Sequence, residues 1–174
     1  YYSNLDTYIP DRYKEGYGIS RAGVDYAAET GVRLVIVLDC GIKAVEEIAY
    51  ARSLGIDFII CDHHVPGIEL PPAVAILNPK RQDNHYPYAH LSGCGVGFKF
   101  MQAFAISNGI EFNKLVPLLD LCAVSIAADI VPIMGENRIL AGHGLRCLNT
   151  NPSIGLQAII EVCGLTEHEL TMND

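Results

Sequence analysis

Arg33-Leu34-Val35-Ile36-Val37-Leu38-Asp39-Cys40-Gly41 and, further along, Phe58-Ile59-Ile60-Cys61-Asp62-His63-His64 decide the fold. Each is a short, β-branched apolar run that stops abruptly at an aspartate. Such runs suit strands buried on both faces of a parallel sheet. Between them, Ile42 to Leu54 has helical spacing. Ala44, Val45, Ile48, Ala49 and Ala51 make one face; Glu46, Glu47, Tyr50 and Ser53 make the other. Gly55 closes this helix as its C-terminal glycine. Strand, helix, strand in this order is a βαβ unit, so the chain is predicted to be α/β, with a parallel β-sheet flanked by helices.

Working outward, Leu5 to Pro10 is expected to form another strand, and Ser20 to Thr30 a helix capped by Ser20 and ended by Gly31. Ala73 to Leu77 reads as a short strand between Pro71-Pro72 and Asn78-Pro79, and residues 80–92 as a loop. From about residue 95 the pattern is mostly helical, with helices expected at 95–107, 114–128, 137–149 and 153–162. Residues 1–165 are expected to form one domain, and the polar residues 166–174 to be a linker ending at a cut.

Composition narrows the function. The chain has 174 residues, 50% of them apolar, which rules out disorder and suffices for a core. Twelve Lys and Arg stand against 20 Asp and Glu, a net charge of −8 that argues against a basic nucleic-acid-coating module. Nucleic-acid chemistry stays open if metal ions reverse the local charge. No apolar run approaches the ~18 residues of a membrane span, and Tyr1-Tyr2-Ser3-Asn4 does not begin a secretory signal. The six cysteines contain no C-x-x-C pair and read as reduced, packed thiols, which points to the cytoplasm. Cys40 and Cys61 adjoin aspartates, yet apolar packing explains them better than a catalytic role.

In open parallel sheets, function collects at the carboxyl ends of the strands. Both principal strands end there in acid, at Asp39 and Asp62, and the second runs on into His63 and His64. Either aspartate alone would serve as a helix cap, and paired histidines alone as surface residues. Converging on one sheet edge, they supply the O and N ligands that divalent metals such as manganese accept. Two such ions ~3.5–4 Å apart clamp a phosphodiester. Asp129, at the end of the apolar helix Leu121–Ala128, is the preferred third carboxylate, because a charge there is costly unless paired or metal-bound. Asp120 is the rival, with helix-start duty as its plainer role. Ser92-Gly93-Cys94-Gly95-Val96-Gly97-Phe98-Lys99 is a glycine-rich approach to a helix, suited to phosphate or to close packing. It has neither the Walker spacing nor the dinucleotide fingerprint.

These residues resemble a known family. Cys61-Asp62-His63-His64 is similar to the signature of the DHH phosphoesterases, and Leu38-Asp39-Cys40-Gly41-Ile42 to the motif that precedes it there. Further segments resemble the single-strand-specific DNA exonuclease branch of that family. They are Ile9-Pro10-Asp11-Arg12 with Glu15 to Ser20, Leu91 to Lys99, Leu119-Asp120-Leu121 through Pro132, and Glu136-Asn137-Arg138. The resemblance spans essentially the whole chain. It implies a Rossmann-like DHH domain and a two-manganese hydrolase, with magnesium as a substitute, that removes 5′-mononucleotides from single-stranded DNA. The implied partners are single-stranded DNA and proteins of recombination and repair. Carried over by motif, Asp39 would bridge both ions, and His63 and Asp129 would complete one site. His64 would face the scissile phosphate, and Asp62 would orient its neighbours. Arg12, Gly93, Gly95 and Lys99 would contact substrate. The family's first motif, an Asp-x-Asp strand end, and its C-terminal domain are not in this sequence, so the chain by itself is expected to bind at most one ion tightly and to be nearly inactive.

Two other readings remain open. One keeps the chemistry on a small substrate, as an oligoribonuclease, a cyclic-dinucleotide phosphodiesterase or a pyrophosphatase. The other is a non-catalytic binding module in which the Asp and His residues are structural.

Overall fold

The computed structural model describes residues 4–174, so the reading at residues 1–4 falls largely outside it. Three parallel strands, β1 (Leu34–Leu38), β2 (Asp57–Cys61) and β3 (Ala75–Leu77), lie in the order β1-β2-β3. The register sets Leu38 beside Cys61 and Cys61 beside Leu77. The residues that follow, Asp39, Asp62 and Asn78, therefore emerge along one edge. The helices are α1 (Arg21–Glu29), α2 (Val45–Ser53), α3 (Gly93–Ser107), α4 (Leu119–Ala128), α5 (Gly135–Thr150) and α6 (Ile154–Val162).

Side-chain alternation divides the core between the two sheet faces. Val37, Phe58 and Ile60 point toward α1 and α2, where they meet Val24, Ala27, Ile48 and Ala51. Cys61, with Ile59 and Leu77 packed alongside, points toward the helical half, which contributes Val96, Phe98, Cys122, Ile126 and Leu140. Gly144 permits the tightest helix contact in that half. A Cβ there would strike the Leu119 carbonyl and the Ala123 methyl, so α4 and α5 approach at backbone distance.

The predicted βαβ unit is present, as are the capped helix after Ser20, the short third strand and the loop at 80–92. Other expectations need correction. Residues 5–10 form no strand; Leu5 and Ile9 are exposed and have no ladder partner. β1 is not buried on both faces. Leu34, Ile36 and Leu38 are exposed because α3 reaches that face of β1 only near Leu38, opposite Gly97. On α2, Ala49 is outward while Tyr50 turns in and donates to Asp25 (2.8 Å). The helix expected at 114–128 starts only at Leu119, preceded by 3-10 turns at Phe112–Lys114 and Val116–Leu118 around Pro117, which offers no N–H to an α-helical ladder. The segment expected as a linker folds back: the backbone N–H of Leu170 donates to Asn149 Oδ1 (2.7 Å), and Asn149 Nδ2 donates to the Leu170 carbonyl (3.0 Å).

Candidate metal centre

Each side chain of the site owes its position to a local device. Asp39 donates its N–H to the Cys61 carbonyl (2.8 Å), the last rung of the β1–β2 ladder, and then turns into the left-handed region at φ 63°. A non-glycine residue held there stores about 1–3 kcal/mol of strain. Gly41 follows at φ 99° and completes the reversal into α2. The turn sends the Asp39 carboxylate against the first residue of α3. A Cβ at Gly93 would collide with it, so glycine is required at that position by the aspartate. Ser92 caps the helix by accepting from Gly95 N–H (3.1 Å), so Gly93, Gly95 and Gly97 lie inside α3 and not in a loop before it.

Asp62 is buried and saturated. One oxygen accepts from Ile42 N–H (2.9 Å); the other accepts from the N–H groups of His63 (2.7 Å) and His64 (3.1 Å) and from His64 Nδ1 (2.7 Å). Burial alone would push this carboxyl up. The donations from the His64 ring, Ile42 and His64 N–H outweigh it and hold Asp62 below the usual carboxylate range. The bond also fixes the His64 tautomer, with Nδ1–H toward Asp62 and Nε2 facing outward.

His63 is oriented by a different partner. Its Nδ1 donates to the Leu91 carbonyl (3.0 Å), which leaves Nε2 turned toward two carboxylates. Asp39 Oδ1 lies 3.2 Å from that nitrogen and Asp129 Oδ2 3.8 Å. In neutral imidazole Nε2 carries a lone pair, so three electron-rich atoms face one another. Asp39 Oδ1 is buried and accepts no hydrogen bond. Only a cation resolves this arrangement. A proton does so in part: the Asp39 carboxylate raises the His63 pKa, against the opposing effect of burial, and Asp129 adds to the rise. A divalent metal ion fits the donor set better, since imidazole nitrogen oriented by a backbone carbonyl, with carboxylates beside it, is a common metal-ligand pattern. Ligand atoms of Asp39, His63 and His64 all lie within 4.8 Å of one another. Asp129 stands outside that trio and approaches through His63.

The remaining candidates are placed less centrally. Gly95 is buried against Ser92, Leu91 and Leu140, a packing environment. Lys99 pairs with Glu136 (3.1 Å), which also accepts from the Tyr86 hydroxyl (2.5 Å). Arg12 lies over the ring of Tyr17, 5.6 Å from its centroid, and Tyr17 in turn donates to the Asp39 carbonyl (3.0 Å). Asp120, the rival carboxylate, accepts from Leu121 N–H (2.6 Å) and Ser153 N–H (2.8 Å) and so ties α4 to the start of α6. Burial raises the Cys40 and Cys61 thiols to about 11 each, which keeps them protonated at neutral pH and supports the packing reading.

Two further residues support the site through backbone carbonyls. Asn78 bonds the His64 carbonyl (2.9 Å), and buried Asn137 bonds the carbonyls of His90 (2.6 Å) and Pro132 (3.0 Å). Asn137 thus joins the loop that orients His63 to the loop that follows Asp129. For Asn78, its place at the end of β3, beside the other two strand ends, is a signal that the sequence offered.

The α/β domain thus gathers acid and imidazole at its strand ends, a donor set suited to a divalent metal, and comparison with known proteins assigns its family. Residues 1–126 match the model of the DHH family, N-terminal domain, and the chain belongs to that family. The single-stranded-DNA-specific exonuclease RecJ of Bacillus subtilis is 43% identical over 162 residues, covering 93% of this chain and 20% of that protein. The protein of the same name from Escherichia coli is 37% identical over 182 residues, covering 99% of this chain and 32% of that protein. A crystal structure of exonuclease RecJ bound to manganese superposes with a TM-score of 0.80 at 30% identity, covering 95% of this chain and 41% of that one. The chain thus spans a fifth to a third of the length of these two sequence relatives. Among the described residues, no helix is long and apolar enough to cross a membrane.

Proposed function

We propose that this chain carries the metal centre of a 5′-to-3′ exonuclease that hydrolyses phosphodiester bonds in single-stranded DNA with two manganese ions, magnesium being a substitute. The observation that carries the proposal is the placement of His63 Nε2, turned toward both Asp39 and Asp129 while Nδ1 is bonded to Leu91. The similarity to single-strand-specific exonucleases, and to one solved with manganese, supports the substrate and the ion. Recombination and repair proteins as partners, and a cytoplasmic setting, follow from that substrate.

In this reading Asp39, His63 and Asp129 would hold one ion, and Asp39, half-exposed beyond its buried oxygen, would also serve a second. Such ions, when bound, would supply Lewis-acid polarisation of a phosphoryl oxygen and a water that deprotonates near neutral pH. The protein's own residues do the rest. Leu91 and Asp62 fix the two imidazole tautomers, so neither ring must reorient during turnover. His64 presents Nε2 outward, on the side where the scissile phosphate would lie. Arg12, on the same side through Tyr17, can reach the nucleic-acid backbone. With a net charge of −8, this chain holds DNA by such local contacts and not by its overall field.

The test is manganese-dependent release of mononucleotides by the intact protein from a 5′-phosphorylated single-stranded oligodeoxynucleotide, with a blunt duplex as the control. Release confined to the single strand is expected, and Asp39→Ala should reduce the rate far more than Arg12→Ala. Equal losses would remove the shared-ligand role, and preference for a dinucleotide or pyrophosphate would favour the small-substrate reading.

A further inference from the structure

Within the stretch Glu15 to Ser20, the segment before α1 carries Tyr17. Gly16 and Gly18 flank it, both left-handed at φ 85° and 94°. A Cβ at either glycine would meet nothing within 4 Å, so these glycines serve backbone direction and not packing. Together they turn Tyr17 in toward the ends of β1 and β2. Its hydroxyl donates to the Asp39 carbonyl (3.0 Å) and lies 3.5 Å from His64 Nε2. Its ring meets the His64 ring edge-on at 6.0 Å between centroids. The Arg12 guanidinium sits over the same ring.

The segment is anchored independently of the site. The Glu15 carboxylate accepts from Asp11 N–H (2.9 Å), from the Tyr8 hydroxyl (2.6 Å) and from the Ser20 hydroxyl. Ser20 also caps α1 by accepting from Gly23 N–H (3.0 Å). Tyr17 thus projects from a fixed base onto the strained peptide whose side chain faces His63. Asp39 needs such a restraint. Its left-handed conformation is unfavourable for an aspartate, and its carboxylate accepts no hydrogen bond at Oδ1. The Tyr17 hydroxyl satisfies the carbonyl that the turn rotates away from the ladder.

We propose that Tyr17 is a positioning residue of the metal centre, whose hydroxyl holds the Asp39 peptide in its left-handed turn and so fixes the carboxylate against His63. This rests on the metal reading above, and the two can fail separately. The experiment titrates the chain with Co2+, whose visible absorption reports ligand geometry, and with Mn2+ by calorimetry. Tyr17→Phe keeps the ring and removes only the hydroxyl. It should weaken both ions about tenfold or more, as loss of a ligand-orienting bond typically does, and should alter the cobalt spectrum. Tyr13→Phe is the control, since it removes a fully exposed hydroxyl from the same segment that takes no part in the anchoring bonds; it should leave affinity and spectrum unchanged. Wild-type affinity and spectrum in Tyr17→Phe would overturn the proposal, as would matching changes in Tyr13→Phe. Unchanged cobalt binding by Asp39→Asn would instead overturn the metal reading itself.

Discussion

Two ends of the same helix teach what distinguishes a structural acid from a functional one. Asp120 lies in the first turn of α4, and Asp129 follows its last residue. Asp120 is 1% exposed and has both oxygens occupied by backbone N–H groups, one of them at the start of α6. Asp129 is partly exposed and turns one oxygen toward His63 Nε2, 3.8 Å away, beyond hydrogen-bond distance. The strand ends repeat the contrast. Asp62 is saturated by four donors, whereas Asp39, one strand away, has a buried oxygen with none. Saturated carboxylates hold the fold, and incomplete ones are left for a cation.

The sharpest way to break this comparison is to remove a saturated acid. Asp62→Ala strands the N–H groups of Ile42, His63 and His64 in a buried place and should destabilise the chain by about 3 kcal/mol or more, as read from urea unfolding with an unchanged slope. Asp120→Ala removes two backbone contacts and should lose about 2 kcal/mol, while manganese affinity stays at the wild-type value. A lower affinity in that variant would show that the two ends of α4 are not separable.

Acid gives a smaller, graded effect with a defined direction. Because the folded pKa of Asp62 lies below its ordinary value of 3.8, its contribution is fully present above that value and is lost as pH falls through the folded pKa. Thermal midpoints of the wild type should therefore decline below about pH 4 more steeply than those of Asp62→Asn. Parallel pH profiles would assign the acid sensitivity to other groups. The smallest effect belongs to the incomplete acid: where His63 is neutral, Asp39→Asn should change metal-free stability by no more than about 0.5 kcal/mol, since no backbone N–H donates to that carboxylate.

The sequence made much of this legible and part of it illegible, for physical reasons. Strand ends are readable because an apolar run that stops at Asp39 or Asp62 announces both the buried strand and its polar exit. The helix expected from residue 95 starts two residues earlier, at Gly93; glycine usually marks a turn, and here Gly93 is required by an aspartate distant in the chain. The choice of Asp129 over Asp120 rested on the cost of a charge beside an apolar helix. That cost applies more strongly to Asp120, which is the more buried of the two. What separates them is the supply of N–H donors from Leu121 and Ser153, and the Ser153 contact comes from chain packing that composition and spacing do not encode. Tyr17 falls in the Glu15 to Ser20 segment that carries the resemblance, yet its contact with Asp39 was not legible for a similar reason, because it depends on where two left-handed glycines aim the side chain.

The central claim is tested most directly by calorimetric titration of Mn2+ into the wild-type chain, Asp39→Asn and Asp120→Asn, all folded by circular dichroism. The account predicts a saturable site in the wild type and in Asp120→Asn that disappears in Asp39→Asn. Equal binding by all three, or by none, would contradict it.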